Sequence, residues 1–248
     1  MIDVRNLTVV YDGNPIFENL NIKFESGKIT GIIGQNGSGK STLIKGMLGL
    51  INTQSGEVTL NEEPIDRQLK KIAYVEQRSA LDLTFPINVM DTVLMGTYPN
   101  LGLFRVPGKK EKQIATEALA DVHMSEFSNR QVSELSGGQL QRVFMARAIA
   151  QNAEVIILDE PFVGIDMKSE ADIIAILKKW KNEDKTIIVI HHDLNKVTEY
   201  FDNLTIIKNG IFAYGPTKKV FTQTNISEAF SSDLSSILFK KTKKVAKK

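Results

Sequence analysis

Five short runs of Ile- and Val-rich sequence constrain this chain more than any other feature. They are Ile29–Ile33, Ile72–Val75, Val155–Leu158, Thr186–Ile190 and Leu204–Ile207. None alternates polar with apolar, so each reads as a strand buried on both faces, as in a parallel sheet. Helical patterns lie between them: Lys40–Leu50 after the first run, Leu140–Gln151 before the third and Lys168–Lys181 before the fourth. That alternation predicts an α/β fold with a mainly parallel sheet. The N-terminal part reads differently. Asp3–Tyr11, Ile16–Phe24 and Glu57–Leu60 are short alternating segments, divided by Asp12-Gly13-Asn14, Ser26-Gly27 and Ser55-Gly56. These predict an antiparallel β patch beside the main sheet. From about Arg78 to Gln151 no buried strand is legible, and patterns such as Lys110–Val122 are helical. Residues 78–151 therefore read as a helical subdomain inserted in a core of 1–230, with 231–248 a flexible basic tail.

Apolar residues make up 42% of the 248 positions, enough for a substantial core. A formal net charge of only +2 gives no general affinity for polyanions, so no nucleic-acid partner is expected. The positive charge clusters at Lys240, Lys241, Lys243, Lys244, Lys247 and Lys248. Such a run reads as a solvated end, with contact to anionic lipid the alternative. There is no cysteine, which excludes disulfides and thiolate metal sites and fits a reducing compartment. Met1 leads directly into Ile2-Asp3-Val4-Arg5, without a signal-peptide pattern. No apolar run approaches the roughly 18 residues of a membrane span. Work at a membrane would therefore go through a partner.

Polar residues follow four of the predicted strands. Gly34 opens a glycine loop, Gln77 follows closely on Val75, Asp159-Glu160 follow Leu158, and His191-His192-Asp193 follow Ile190. Open α/β sheets bind ligands at the carboxyl ends of their strands, so these four ends predict one shared site.

The loop Gly34-Gln35-Asn36-Gly37-Ser38-Gly39-Lys40-Ser41 fits the phosphate-loop pattern G-x-x-x-x-G-K-[ST]. Its glycines let backbone N–H groups turn toward phosphate oxygens, and the following helix adds its positive dipole end. In that reading Lys40 reaches the β- and γ-phosphates of ATP and the Ser41 hydroxyl ligates Mg²⁺. Asp159 would hold Mg²⁺ through its water shell, and Glu160 would act as general base toward water. Alone, an Asp-Glu pair after a strand is a cap or a turn; the phosphate loop gives it chemistry. Leu135-Ser136-Gly137-Gly138-Gln139 opens a helix and reads as a second anion site, or else as an N-cap at Ser136 or Gly138.

Over about residues 1–220 the chain resembles the nucleotide-binding subunits of ATP-binding cassette (ABC) transporters. Gly34–Thr42 is similar to the Walker A loop, Gln77 to the Q-loop glutamine, and Leu135–Gln139 matches the signature motif without change. Val155–Glu160 is similar to Walker B, and His192 to the switch histidine. The resemblance implies that Gly34, Asn36, Gly37, Ser38, Gly39, Lys40, Ser41 and Thr42 bind ATP, with Tyr11 stacking on adenine. It adds Gln77 to Ser41 and Asp159 around Mg²⁺, and assigns catalysis to Glu160, His192, Lys40 and Gln77. It also implies a homodimer on ATP binding, in which Ser136, Gly137, Gly138, Gln139 and Asp166 face the nucleotide of the partner. At the loop that ends in Asp166 the family often has Ser-Ala-Leu-Asp, whereas this chain has Val163-Gly164-Ile165-Asp166. The missing serine puts a side-chain contact from that loop in question. His191 is outside the pattern, and His123 reads as a surface or boundary residue.

One cassette without a membrane span implies a separate integral-membrane permease, served from the cytoplasmic face, and indirectly an extracytoplasmic substrate-binding protein. Gln77–Gly96 reads as part of the groove for a permease helix, with packing in the helical subdomain the alternative. This stretch and His191-His192-Asp193-Leu194 are most similar to importers of manganese, zinc or iron. A transporter for another substrate, or a soluble ABC ATPase, is the competing reading. The region between the Walker motifs has no sustained heptads, unlike DNA-repair members, and there is one cassette, unlike ribosome-associated members.

Overall fold

The computed structural model describes residues 1–11, 14–77, 84–102, 105–230 and 238–239. Apart from 238–239, the basic tail lies outside the described residues, as does the Asp12-Gly13 turn. The chain forms two compact units, Met1–Leu69 with Ile188–Lys248, and Lys70–Ile187.

In the first unit, β1 (Ile2–Tyr11), β2 (Asn14–Phe24), β4 (Ser55–Leu60) and β5 (Glu63–Pro64) form an antiparallel sheet in the order β2-β1-β4-β5. This is the patch that the alternating segments predict. Its inward residues Ile2, Phe17, Ile22 and Phe24 are almost wholly buried, as are Leu43, Ile44 and Met47 of α1 (Lys40–Met47). The helix is shorter than the pattern Lys40–Leu50 suggests. Gly49, at φ 67°, turns the chain left-handed, and Gly49 N and Leu50 N bond back to Gly46 O and Lys45 O, closing the helix end.

The same unit holds β3 (Lys28–Gly34), β9 (Asn203–Ile207), β10 (Ile211–Pro216) and, from Ile188 on, β8 (Thr186–Ile190). β9 runs parallel to β3, and β10 folds back antiparallel on β9. The β9–β10 turn carries positive φ at Asn209 and Gly210, the two residue types that tolerate it best. Short helices α6 (Val197–Tyr200), α7 (Thr217–Val220) and α8 (Gln223–Ala229) complete the unit, with Thr222 capping α8.

In the second unit, β6 (Ile72–Val75) and β7 (Val155–Asp159) pair in parallel, and no strand lies between them among the described residues. The intervening chain forms α2 (Val89–Leu94), α3 (Lys109–Asp121) and α4 (Gly137–Gln151), and α5 (Met167–Asn182) follows β7. Burial of Ala118, Leu119, Val143 and Met145 holds the helices together, and Trp180 and Leu177 anchor α5. Gly96 lies against the backbone of α4 at Arg147, where no Cβ fits. The Gln77–Gly96 stretch divides by face: Val89 and Val93 are core, while Phe85 and Met95 are exposed. Among the described residues no helix is long and apolar enough to cross a membrane.

Candidate active site

In the first unit the glycine loop joins β3 to α1. Gly39 is the N-cap of α1 with a left-handed backbone at φ 98°, and a Cβ there would press on the Phe17 ring. No side chain caps this end, and a helix N-terminus of this kind carries the positive end of the dipole, which suits an anion. Ser38 N donates to Gln35 O at 3.1 Å, closing the turn. Lys40 is 7% exposed, and its Nζ donates to Gly34 O and Gln35 O, both at 3.0 Å. The lysine is thus folded over its own loop. Ser41 and Thr42 are half-buried behind it, and Asn36 is exposed. Beside the loop runs a cleft of about 850 Å³, lined by Ile16, Phe17, Gly37, Ser38, Asn209 and Phe212 among others. Tyr11 ends β1; its side chain lies outside the described residues.

Gln35 has a second connection. Its Nε2 donates to Ala229 O and Phe230 O, both at 3.1 Å, at the carbonyl end of α8. Lys208 Nζ donates to Glu228 O at 2.6 Å. The negative end of α8 is thus met by an amide from the phosphate loop and by a cation.

The two histidines after β8 separate cleanly. His191 N bonds to Ile32 O at 2.9 Å, and its ring is buried, edge-on to Phe201 at 5.5 Å. His192 is exposed. Adjacent residues on extended chain face opposite ways, so His191 fills the core and His192 faces outward. His123, at φ 57°, is exposed.

In the second unit the strand register sets the site. Val75 is opposite Leu158, so the chain continues from both strands side by side. Two residues further on, Gln77 Nε2 donates to Glu160 Oε2 at 2.7 Å. Glu160 itself has φ 51°, a left-handed conformation that costs a non-glycine residue about 1–2 kcal/mol. Asp159 is 7% exposed, and Tyr74 Oη donates toward its Oδ2 at 3.4 Å. Burial, and then the Asp159 charge, push the Tyr74 phenol above its ordinary range, so it remains a donor.

The signature residues start α4 one turn earlier than apolar periodicity indicates. Ser136 is the N-cap: its Oγ accepts from Gln139 N at 3.3 Å, and Ser136 N donates to Gln139 Oε1 at 2.9 Å. This reciprocal pair outweighs the poor helix propensity of Gly137 and Gly138. Asp166 caps α5, its Oδ1 accepting from Lys168 N and Ser169 N at 3.0 Å. The backbone bond from Ser169, then the Ser169 hydroxyl, hold the Asp166 carboxyl below the usual carboxylate range. Sequence reasoning missed Tyr74, Ser169 and the α8 contact of Gln35. The Asp166-x-x-Ser169 spacing is a cap signature that could have marked Ser169; no sequence signal marks the other two.

Residues 17–163 match the profile of the family described as ABC transporter. The chain belongs to the ABC transporter family. It is 54% identical to the manganese transport system ATP-binding protein MntB of Listeria monocytogenes, over 92% of this chain and 95% of that protein. It is 44% identical to the zinc transport system ATP-binding protein TroB of Treponema pallidum, over 96% and 90%. Among solved structures, a bacterial ABC transporter cassette captured as a dimer superposes with a TM-score of 0.75 at 29% identity, over 87% of this chain and 98% of that one. The α/β architecture with its antiparallel patch is the ABC ATPase fold.

Proposed function

We propose that this ABC subunit binds and hydrolyses ATP to energise import of a divalent metal ion, manganese first and zinc or iron next. The observation that carries the metal is its 54% identity to a manganese transport ATP-binding protein across nearly the whole of both chains. The ABC ATPase assignment rests on the family match and agrees with the Lys40 loop and the Gln77–Glu160 pair. The metal is cargo handled by a separate permease, so no residue of this subunit ligates it.

Toward ATP, the α1 N-terminus and Lys40 bind the phosphates, Lys40 exchanging its two loop carbonyls for phosphate oxygens. Glu160 accepts a proton from water as the water oxygen bonds to the γ-phosphorus and the bond to the β–γ bridging oxygen breaks. Gln77 orients Glu160, and His192 donates to the charge developing on the γ-phosphate. Ser41 and Asp159 offer hard oxygen donors of the kind Mg²⁺ takes, so these residues, with Gln77, fit that ion. When bound, Mg²⁺ neutralises phosphate charge.

Ser136 and Gly138 meet the ATP held by a second copy, so ATP closes a homodimer on the cytoplasmic face of the membrane. The exposed apolar residues Val163 and Met167 support such a surface, as does the dimeric cassette relative. Phe85 and Met95, both exposed, are assigned to the permease contact. The test is ATPase activity of the subunit reconstituted with its permease and binding protein in vesicles. Stimulation by Mn²⁺ above Zn²⁺ and Fe²⁺ is expected; no stimulation by any of the three overturns the metal reading.

A further inference from the structure

Gly138 stands on α4 and Ser169 on α5. A Cβ at position 138 would fall on Oγ and Cβ of Ser169, closer than non-bonded atoms approach, with Asp166 Oδ2 3.8 Å away. Ser169 is 7% exposed, and its Oγ donates to Asp166 Oδ2 at 2.8 Å. Its N donates to the other oxygen, Asp166 Oδ1, at 3.0 Å. Arg142 Nη1 of α4 pairs with Asp172 Oδ2 of α5 at 3.0 Å, fixing the same two helices one turn further along.

We infer that Ser169 is a positioning residue that locks the signature turn to the loop ending in Asp166. Position 138 must be glycine because Ser169 occupies the place of its side chain, whatever else Gly138 touches. The two segments that face the partner's nucleotide then move as one piece. A shift of the Asp166 cap carries Ser169 with it, and movement of Ser169 toward α4 meets Gly138. Packed interiors transmit displacement in this way because they hold no slack. The functional consequence rests on the ATP-dimer reading above; the packing does not.

The experiment has two arms. The first needs no nucleotide. Amide exchange of the 135–140 segment is followed in the full-length chain with Gly138→Ala, Ser169→Gly and both together. Gly138→Ala alone is expected to speed exchange at least tenfold, and Ser169→Gly in the same chain to restore it to within about threefold of wild type. Ser169→Ala, which keeps the Cβ, should not restore it. Absence of rescue by Ser169→Gly overturns the inference. If Gly138→Ala does not fold, recovery of folded protein in the double variant gives the same answer. The second arm uses Ser169→Ala in a Glu160→Gln background. Affinity for a fluorescent ATP analogue should stay within twofold, while the protein concentration needed for ATP-driven dimerisation rises about tenfold. Dimerisation unchanged by Ser169→Ala overturns the coupling. A wild-type chain that binds no ATP overturns the proposed function instead, and the exchange arm still decides the packing claim.

Discussion

Gln77 Nε2 donates a 2.7 Å hydrogen bond to Glu160 Oε2. The bond exists because β6 and β7 are parallel and in register, Val75 opposite Leu158. It occupies one carboxylate oxygen of Glu160 and leaves the other for water. Gln77→Ala should therefore lower kcat about tenfold to a hundredfold, with a smaller effect on nucleotide affinity, since a single hydrogen bond to a charged group is worth roughly 1.5–3 kcal/mol. Steady-state ATPase assays paired with a nucleotide titration check this. Gln77→Glu, which sets two carboxylates together, should lose more activity than Gln77→Ala.

Lys40 gives a different signature. Its ammonium is buried and held by two loop carbonyls. Lys40→Ala removes the cation that the phosphates would take over. ATP affinity should fall on the order of tenfold to a hundredfold. Equilibrium titration with a fluorescent nucleotide measures it, and unchanged affinity would count against the phosphate-loop role.

The contact of Gln35 with Ala229 O and Phe230 O makes α8 a brace for the phosphate loop. Gln35→Ala should weaken ATP binding a few-fold, the effect of neutral surface hydrogen bonds worth about 0.5–1.5 kcal/mol. Thr222→Ala, which removes the N-cap of α8, should do the same from the far end of the helix. Combined, the two should be less than additive. Full additivity in the titrations would show that the brace does not run through α8.

Much of this was legible in the residues. The five Ile/Val runs locate β3, β6, β7, β8 and β9 to within one residue at either end, because strands buried on both faces leave no polar position to blur them. Gly34–Ser41 and Asp159-Glu160 carry residue types suited to phosphate and to water, and the roles proposed for them start from that. That Gln77 and Glu160 share a site was legible from the strand ends, but their direct hydrogen bond was not, since it follows from the register of β6 on β7, far apart in sequence. β10 escaped notice although Asn209-Gly210 between Ile207 and Ile211 is a hairpin signal. Ser169 escaped for another reason: a serine in the first turn of a helix looks like surface until the neighbouring glycine is seen in three dimensions.

Asp166 predicts a pH dependence. Its carboxyl is held below the usual range by bonds from Ser169, so its folded-state pKa is depressed. The contribution to stability is present above the unfolded-state pKa, about 3.9, and is lost as pH falls through the lower folded value. Asp166→Asn should thus be less stable than wild type near neutrality, with the gap closing under strong acid. Denaturant midpoints of the two proteins from neutral pH downward check it; a gap that widens in acid would contradict the capping role.

Glu160 is the base assigned to ATP hydrolysis by this subunit. The most direct measurement is single-turnover hydrolysis by wild type and Glu160→Gln, with ATP binding measured on the same samples. Glu160→Gln should bind ATP as tightly as wild type or more so. Its hydrolysis should be slower by about a hundredfold to ten-thousandfold, the range typical of a lost general base. Hydrolysis by Glu160→Gln at the wild-type rate would contradict that assignment.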